Sequence, residues 1–317
     1  MRRREFIFGV GASMVSPIEL KAQHRKIWRV GFLGSGRLDL ALPVFRRRMI
    51  EQGYVEGSTY VLDVREARGQ FDLLPQLMKE IMNGGPDVIV AEATPAIAVA
   101  QHATSTIPIV MAPSTDPVGS GFVESFAHPG GNITGFANMF GDLAAKSLEM
   151  LRLVVPSVKR IAVLMSANPT HQKMLELARG GADRLGLTLF PFVAPAPADL
   201  ERAFSGMKET NCEAVYVLAD PFRPAIAKLA AEARLPSIYQ YSLFVDIGGL
   251  MSYGPNILSI FDRAAVYVDK IIKGARPADL PVEQPERFEL VLNLKAAKAL
   301  GLSISPSAIS LADKVLE

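Results

Sequence analysis

The feature that most constrains this sequence is a rhythm. Short β-rich apolar runs alternate with amphipathic stretches of helical period, and the series runs through twice. Residues 28–33, 60–64, 87–91 and 107–111 read as strands of the first series, with helices over 38–52, from Leu73 and from Thr94-Pro95. Asp87-Val88-Ile89-Val90-Ala91 is apolar after its first residue, as expected for a strand covered on both faces. Residues 113–137, rich in Gly, Pro, Ser and Asn, break the rhythm and read as loop plus a departing strand. It restarts with strands at 160–165, 188–193, 214–218, 237–239 and 249–252, and helices at 170–185, 199–208, 223–233 and 258–272. Successive βα units predict parallel sheets flanked by helices. The expected fold class is therefore α/β, with two doubly wound parallel-sheet lobes joined by crossing segments. We assign residues 27–138 and 258–286 to lobe 1, and 139–257 and 287–317 to lobe 2.

Composition narrows the function. Nearly half of the 317 residues are apolar, so a core forms without disulfides. The single cysteine, Cys212, reads as a buried thiol. His24, His102, His128 and His171 match no metal-ligand spacing, and no metal or cofactor is expected. The formal charge is +2. Residues 1–22 carry that excess in Arg2, Arg3, Arg4 and Lys21 against Glu5 and Glu19, so the remainder is neutral, which argues against nucleic acid as a partner. Residues 1–22 read as an export signal. A basic start precedes an uncharged stretch over 6–18 that is too short to span a bilayer. Arg3-Arg4 ahead of Phe6-Ile7 has the look of a twin-arginine signal, with cleavage after Ala22 and a periplasmic product.

In open α/β sheets, ligands bind beyond the carboxyl ends of the strands, so the residues just past each strand are the candidates. Ser35 and Gly36 follow the first strand in a glycine-rich turn that either is a tight turn only or brings a ligand close to backbone N–H groups. Ala93 and Thr94 follow the third, where a helix N-terminus suits an anionic group; Thr94 either caps that helix or also touches ligand. Ser114 and Asp116 follow the fourth, with Asp116 a partner for an ammonium or the anchor of a turn. In the second series Ser166, Asp220 and Tyr241 lie just past strand ends, and Tyr253 follows a strand near the last crossing. No catalytic set emerges: Gly249–Gly254 has its serine in the wrong place for a nucleophile elbow, no histidine falls just past a predicted strand end, and there is no phosphate-binding P-loop. Arg46-Arg47-Arg48 reads as a solvated helix face.

Several motifs in order then carry a resemblance. They include Pro86-Asp87-Val88-Ile89-Val90-Ala91, Ala93-Thr94-Pro95-Ala96, Asp116-Pro117-Val118-Gly119-Ser120-Gly121-Phe122-Val123, Pro129-Gly130-Gly131-Asn132-Ile133-Thr134-Gly135, and Gly248-Gly249-Leu250-Met251-Ser252-Tyr253-Gly254. Together they resemble the ABC-transporter substrate-binding proteins related to the tryptophan/tyrosine-type binding proteins. The resemblance implies a type I periplasmic-binding fold with three crossings and an amino acid or similar small ligand. It also implies an ABC permease and its ATPase in the inner membrane as partners. The fold's usual contacts would fall on Ser35, Ala93, Thr94, Ser114 and Asp116. Many relatives carry an Arg-Glu pair where this chain has Ser242-Leu243, which leaves the ligand open. A binding protein that reports to a membrane sensor is the alternative to a transport component.

Overall fold

The computed structural model describes residues 26–218 and 224–317. The expected export signal lies outside the described residues. Two sheets form, and the same burial rule shapes both. The first contains β1 (Trp28–Gly34), β2 (Tyr60–Glu66), β3 (Val88–Glu92), β4 (Ile109–Ser114) and β5 (Ile133–Ala137), in the order β2-β1-β3-β4-β5 with every pair parallel. Strands β3, β4 and β5 are buried along their whole length, because helices cover the sheet. Those helices include α1 (Ala41–Glu51), α2 (Leu74–Asn83) and α3 (Ala93–Ala103).

The second sheet contains β6 (Arg160–Met165), β7 (Thr188–Val193), β8 (Ala214–Val217), β9 (Ser237–Tyr239), β10 (Met251–Gly254), β11 (Glu289–Asn293) and β12 (Lys314–Leu316). Its order is β12-β11-β10-β9-β8-β6-β7, parallel except for the antiparallel pair β10–β11. Helices α4 (Phe140–Val154), α5 (His171–Leu185), α6 (Leu200–Glu209), α7 (Ala225–Glu232) and α8 (Leu243–Asp246) accompany β6 to β10, and α10 (Leu294–Leu300) and α11 (Pro306–Leu311) lie between β11 and β12.

The chain passes between the sheets three times. It leaves β5 for α4, which packs on α5 and β10. It returns from β10 to α9 (Ile257–Ile272), which packs on α1 and on β3, β4 and β5. After α9 the segment around Glu283 runs beside β5: Glu283 N–H donates to Gly135 O and Ala137 N–H to Glu283 O, both at 2.9 Å. The chain then crosses to β11. The second crossing is tight: a Cβ on Gly254 would stand 2.1 Å from the Gln240 carbonyl oxygen.

The return of α9 changes the meaning of the arginine run, which is not simply a solvated face. Arg48 grips Asp262 of α9 through two nitrogens at 2.9 and 2.7 Å, and Arg47 reaches the same carboxylate at 3.2 Å. Arg46 turns instead to Glu56, at 2.8 Å. A guanidinium fork matched to a carboxylate fixes orientation as well as charge. Cys212 is buried, as expected, and burial pushes its thiol pKa up.

Candidate functional site

All five strands of the first sheet run parallel, so their carboxyl ends share one edge. The residues that end or follow β1, β3, β4 and β5 form a polar cluster there, with Ser114 the last residue of β4 rather than past it, and Ser35, Glu92, Thr94, Ser114, Thr115 and Asn138 are all buried.

Glu92, the last residue of β3, organises the cluster. Its Oε2 accepts the N–H groups of Ser35 (2.8 Å) and Gly36 (3.1 Å). The Ser35 hydroxyl donates to Glu92 O at 2.9 Å and accepts the Ala96 N–H at 3.1 Å. The glycine-rich turn thus spends its donors on a protein carboxylate, and the Ser35 side chain ties two loops together. Glu92 was not singled out in the sequence. The available signal was a charged residue closing a strand that is otherwise apolar.

The next residue, Ala93, has φ of 68°, a left-handed conformation that costs a non-glycine residue free energy. It turns the chain from strand into α3 within one residue. Thr94 does not cap this helix: the N-cap position is Glu92, and no side chain makes a cap hydrogen bond. The Thr94 hydroxyl is buried and has no hydrogen-bond partner among the described residues, and neither has the Ser114 hydroxyl on neighbouring β4. Orphaned buried hydroxyls carry a desolvation cost that a bound ligand would relieve.

Asp116 is committed elsewhere. Its Oδ1 accepts the Gly119 N–H at 2.9 Å, and its Oδ2 meets Lys173 Nζ, on α5, at 2.7 Å. Partial burial raises its carboxyl pKa, but the Lys173 and Gly119 hydrogen bonds outweigh that and hold it below the usual value.

On the facing lobe, Ser166 donates its N–H to His171 Nδ1 at 2.9 Å, and its hydroxyl accepts the Asn168 N–H at 3.3 Å. His171 opens α5 and is buried, so a histidine does stand beside a strand end. The longer loop after β6 folds back and brings it there, which spacing alone did not reveal. Tyr241 lies edge-on to Phe140 with ring centroids 5.0 Å apart. Tyr253 lies within β10 rather than after it, since that strand extends to Gly254, and its ring tilts against Phe288 at 6.3 Å. Asp220 lies outside the described residues.

Besides a cavity of about 380 Å³ at the crossings, lined by Phe136, Asn256, Arg263, Glu283 and Glu289 among others, two smaller cavities open between the lobes nearer the strand ends. The larger of these two, about 280 Å³, has Glu92 and the Arg37–Asp39 ion pair as its charged groups. Its apolar walls are Leu40, Ala41, Ile257, Leu258 and Phe261 on one side and Pro224, Tyr241, Leu243 and Ile247 on the other. The smaller, about 160 Å³, lies beside the Asp116–Lys173 contact and is lined by Thr115, Met139, Thr170 and Met174 among others. Among the described residues no group of His, Cys, Asp and Glu could hold a metal ion, and no helix is long and apolar enough to cross a membrane.

Two α/β lobes joined by three crossings, with a polar cleft along the strand ends, define a type I periplasmic-binding architecture. Residues 37–316 match the ABC transporter substrate binding protein family, and the chain belongs to it. Members of this family are binding proteins rather than enzymes. The chain is 25% identical over 270 residues to the tyrosine-binding protein of Clostridioides difficile, covering 84% of this chain and 77% of that one. It is similar to the Streptococcus pneumoniae ABC domain solved in complex with L-Trp, at 26% identity and a TM-score of 0.83, over 92% of this chain and all of that one. It is also similar to a conserved domain protein of Vibrio cholerae, at 27% identity and a TM-score of 0.85 over the same shares.

Proposed function

We propose that this chain is the exported solute-binding component of an ABC importer, and that it closes its lobes on an amino acid with an apolar or aromatic side chain. The observation that carries this reading is the pair of buried, unpartnered hydroxyls at the ends of neighbouring strands, Thr94 Oγ1 in the first turn of α3 and Ser114 Oγ at the end of β4. A carboxylate seated there would accept from both hydroxyls and lie against the positive end of the helix. Glu92 supplies negative charge on the other side of the same loop, suited to an ammonium. The apolar cavity lined by Leu243, Ile247 and Phe261 suits the side chain. The ligands named for the relatives, tyrosine and L-Trp, have all three parts.

The proposed mechanism is differential binding between two conformations. Thr94, Ser114 and Glu92 belong to one lobe and Tyr241 and Leu243 to the other. A ligand touches both sets only when the lobes are shut, and that difference in contact drives closure about the three crossings. The closed form is then the shape offered to the permease.

Isothermal titration calorimetry with L-tyrosine, L-tryptophan, aliphatic amino acids, nucleosides and purines tests the reading. Saturable binding confined to amino acids with apolar or aromatic side chains is the expected result. Silence across the whole panel, or binding of nucleosides alone, would overturn it.

A further inference from the structure

A charged contact bridges the cleft from one lobe to the other. Asp116 sits on the loop after β4, on the first sheet, and Lys173 on the first turn of α5, beside the second. Their side chains meet at 2.7 Å. We propose that Asp116 and Lys173 form an electrostatic clasp between the lobes, which sets the balance of open and closed forms whichever solute fills the cleft. Asp116 is in this role a positioning residue.

Three observations support the clasp. The carboxylate is oriented from its own lobe: Oδ1 accepts the Gly119 N–H, and Oδ2 faces Lys173 on the other. That fold-back needs a glycine, because a Cβ at position 119 would stand 2.2 Å from Asp116 Oδ2. The lysine, in turn, is not stranded when the lobes part. Asp142, in the first turn of α4 on the same lobe, lines the same small cavity and adds to the charge that raises the Lys173 pKa, after Asp116 itself. Separation therefore exchanges one carboxylate for the field of another, so the clasp biases closure without locking it. Its side chains are 30% and 65% exposed, so the expected effect is that of a solvent-accessible ion pair, about two- to fivefold in the closing equilibrium.

The clasp rests on the two-lobed closure described above but not on the identity of the ligand, and two readouts keep those apart. The first is L-tyrosine affinity at low and high sodium chloride. Wild type should bind about two- to fivefold more tightly than Asp116→Asn or Lys173→Gln at low salt, the difference should vanish at high salt, and the charge swap Asp116→Lys with Lys173→Asp should recover most of the loss. The second is the radius of gyration of the free protein by small-angle scattering at low salt. Asp116→Lys alone places two cations face to face and should expand the molecule, and adding Lys173→Asp should reverse that. A shift in scattering without L-tyrosine binding would sink the ligand reading and leave the clasp standing. Loss of binding in Asp116→Asn, unmatched by Lys173→Gln and not repaired by the swap, would make Asp116 a ligand contact and overturn the clasp. Variants unchanged in both readouts would overturn it too.

Discussion

Two small hydroxyl residues on the same edge of the first sheet have opposite physical roles. Ser35 is fully used, giving its proton to Glu92 O and taking the N–H of Ala96, so removing its hydroxyl takes one partner from each of two buried backbone groups, which keep each other through the first turn of α3. Thr94 is unused, and its buried hydroxyl already lacks a partner. Ser35→Ala should therefore lower unfolding stability by about 0.5–1.5 kcal/mol, the net worth of an ordinary hydrogen bond whose partners are not left bare. Thr94→Val should leave stability unchanged or slightly raised, because it deletes an unsatisfied group at nearly constant shape. It should weaken L-tyrosine binding roughly 10- to 100-fold, the value of a hydrogen bond to a charged acceptor. Urea unfolding followed by calorimetry separates the two variants. A Thr94→Val protein that loses stability and keeps its affinity would return the hydroxyl to an ordinary structural role. The sequence held Thr94 and Ser35 as equal candidates because both follow a strand. Only the partners of each hydroxyl tell them apart, and partners 57 or 61 residues away leave no trace in local spacing.

Among the elements, those bounded by a change of period were the most legible, buried or not. Strand β6, buried after its first residue, was expected at 160–165 and formed there, and the edge strand β7, half-buried or exposed throughout, was expected at 188–193 and formed there. The fourth strand was expected at 107–111 and formed at Ile109–Ser114. Pro113 has no N–H to give the ladder, so the pattern reads as a strand end at Met111, whereas the chain shifts register between Met111 and Ser114 and continues. Strands β11 and β12 were not read at all, being short and close to helix-forming segments. Helix α9 is legible as amphipathic and was assigned to lobe 1, but its partner helix there, α1, was not identified. Its attachment to α1 adds the Asp262 carboxylate, gripped by Arg47 and Arg48, and the Tyr54 hydroxyl donating to Asp269 at 2.9 Å. Asp262→Ala leaves the two guanidiniums with Glu51, on their own helix, as the anion they share, and removes their tie to α9. The carboxylate is only 13% exposed but its arginine partners are solvated and keep Glu51, so Tm should fall by a small amount, on the order of 1–2 °C. Differential scanning calorimetry checks it. An unchanged melt would mean that apolar packing alone holds α9 in place.

At the scale of the whole molecule, closure requires that each lobe move as a rigid body, because a close-packed interior transmits displacement rather than absorbing it. The only tryptophan offers a test. Trp28 is the first residue of β1, while the strand's other end leads into the cleft at Ser35 and Gly36. Seven residues of strand span roughly 20 Å, so the indole lies at the far edge of lobe 1. Lys26 sits over its ring, with Nζ 4.0 Å from the ring centroid, and both belong to the same lobe. If the lobes swing without deforming, nothing near this indole changes when the cleft fills. Selectively excited tryptophan emission should then stay constant as L-tyrosine is added, while the radius of gyration falls. The same emission should shift in urea, when the first sheet itself comes apart. A tryptophan signal that tracks L-tyrosine would mean that strain travels the length of β1. The strained Ala93 and the Glu92 carboxylate that bridges β3 to the β1 turn would then bend the sheet rather than merely line the cleft, and the three crossings would not be the sole hinge.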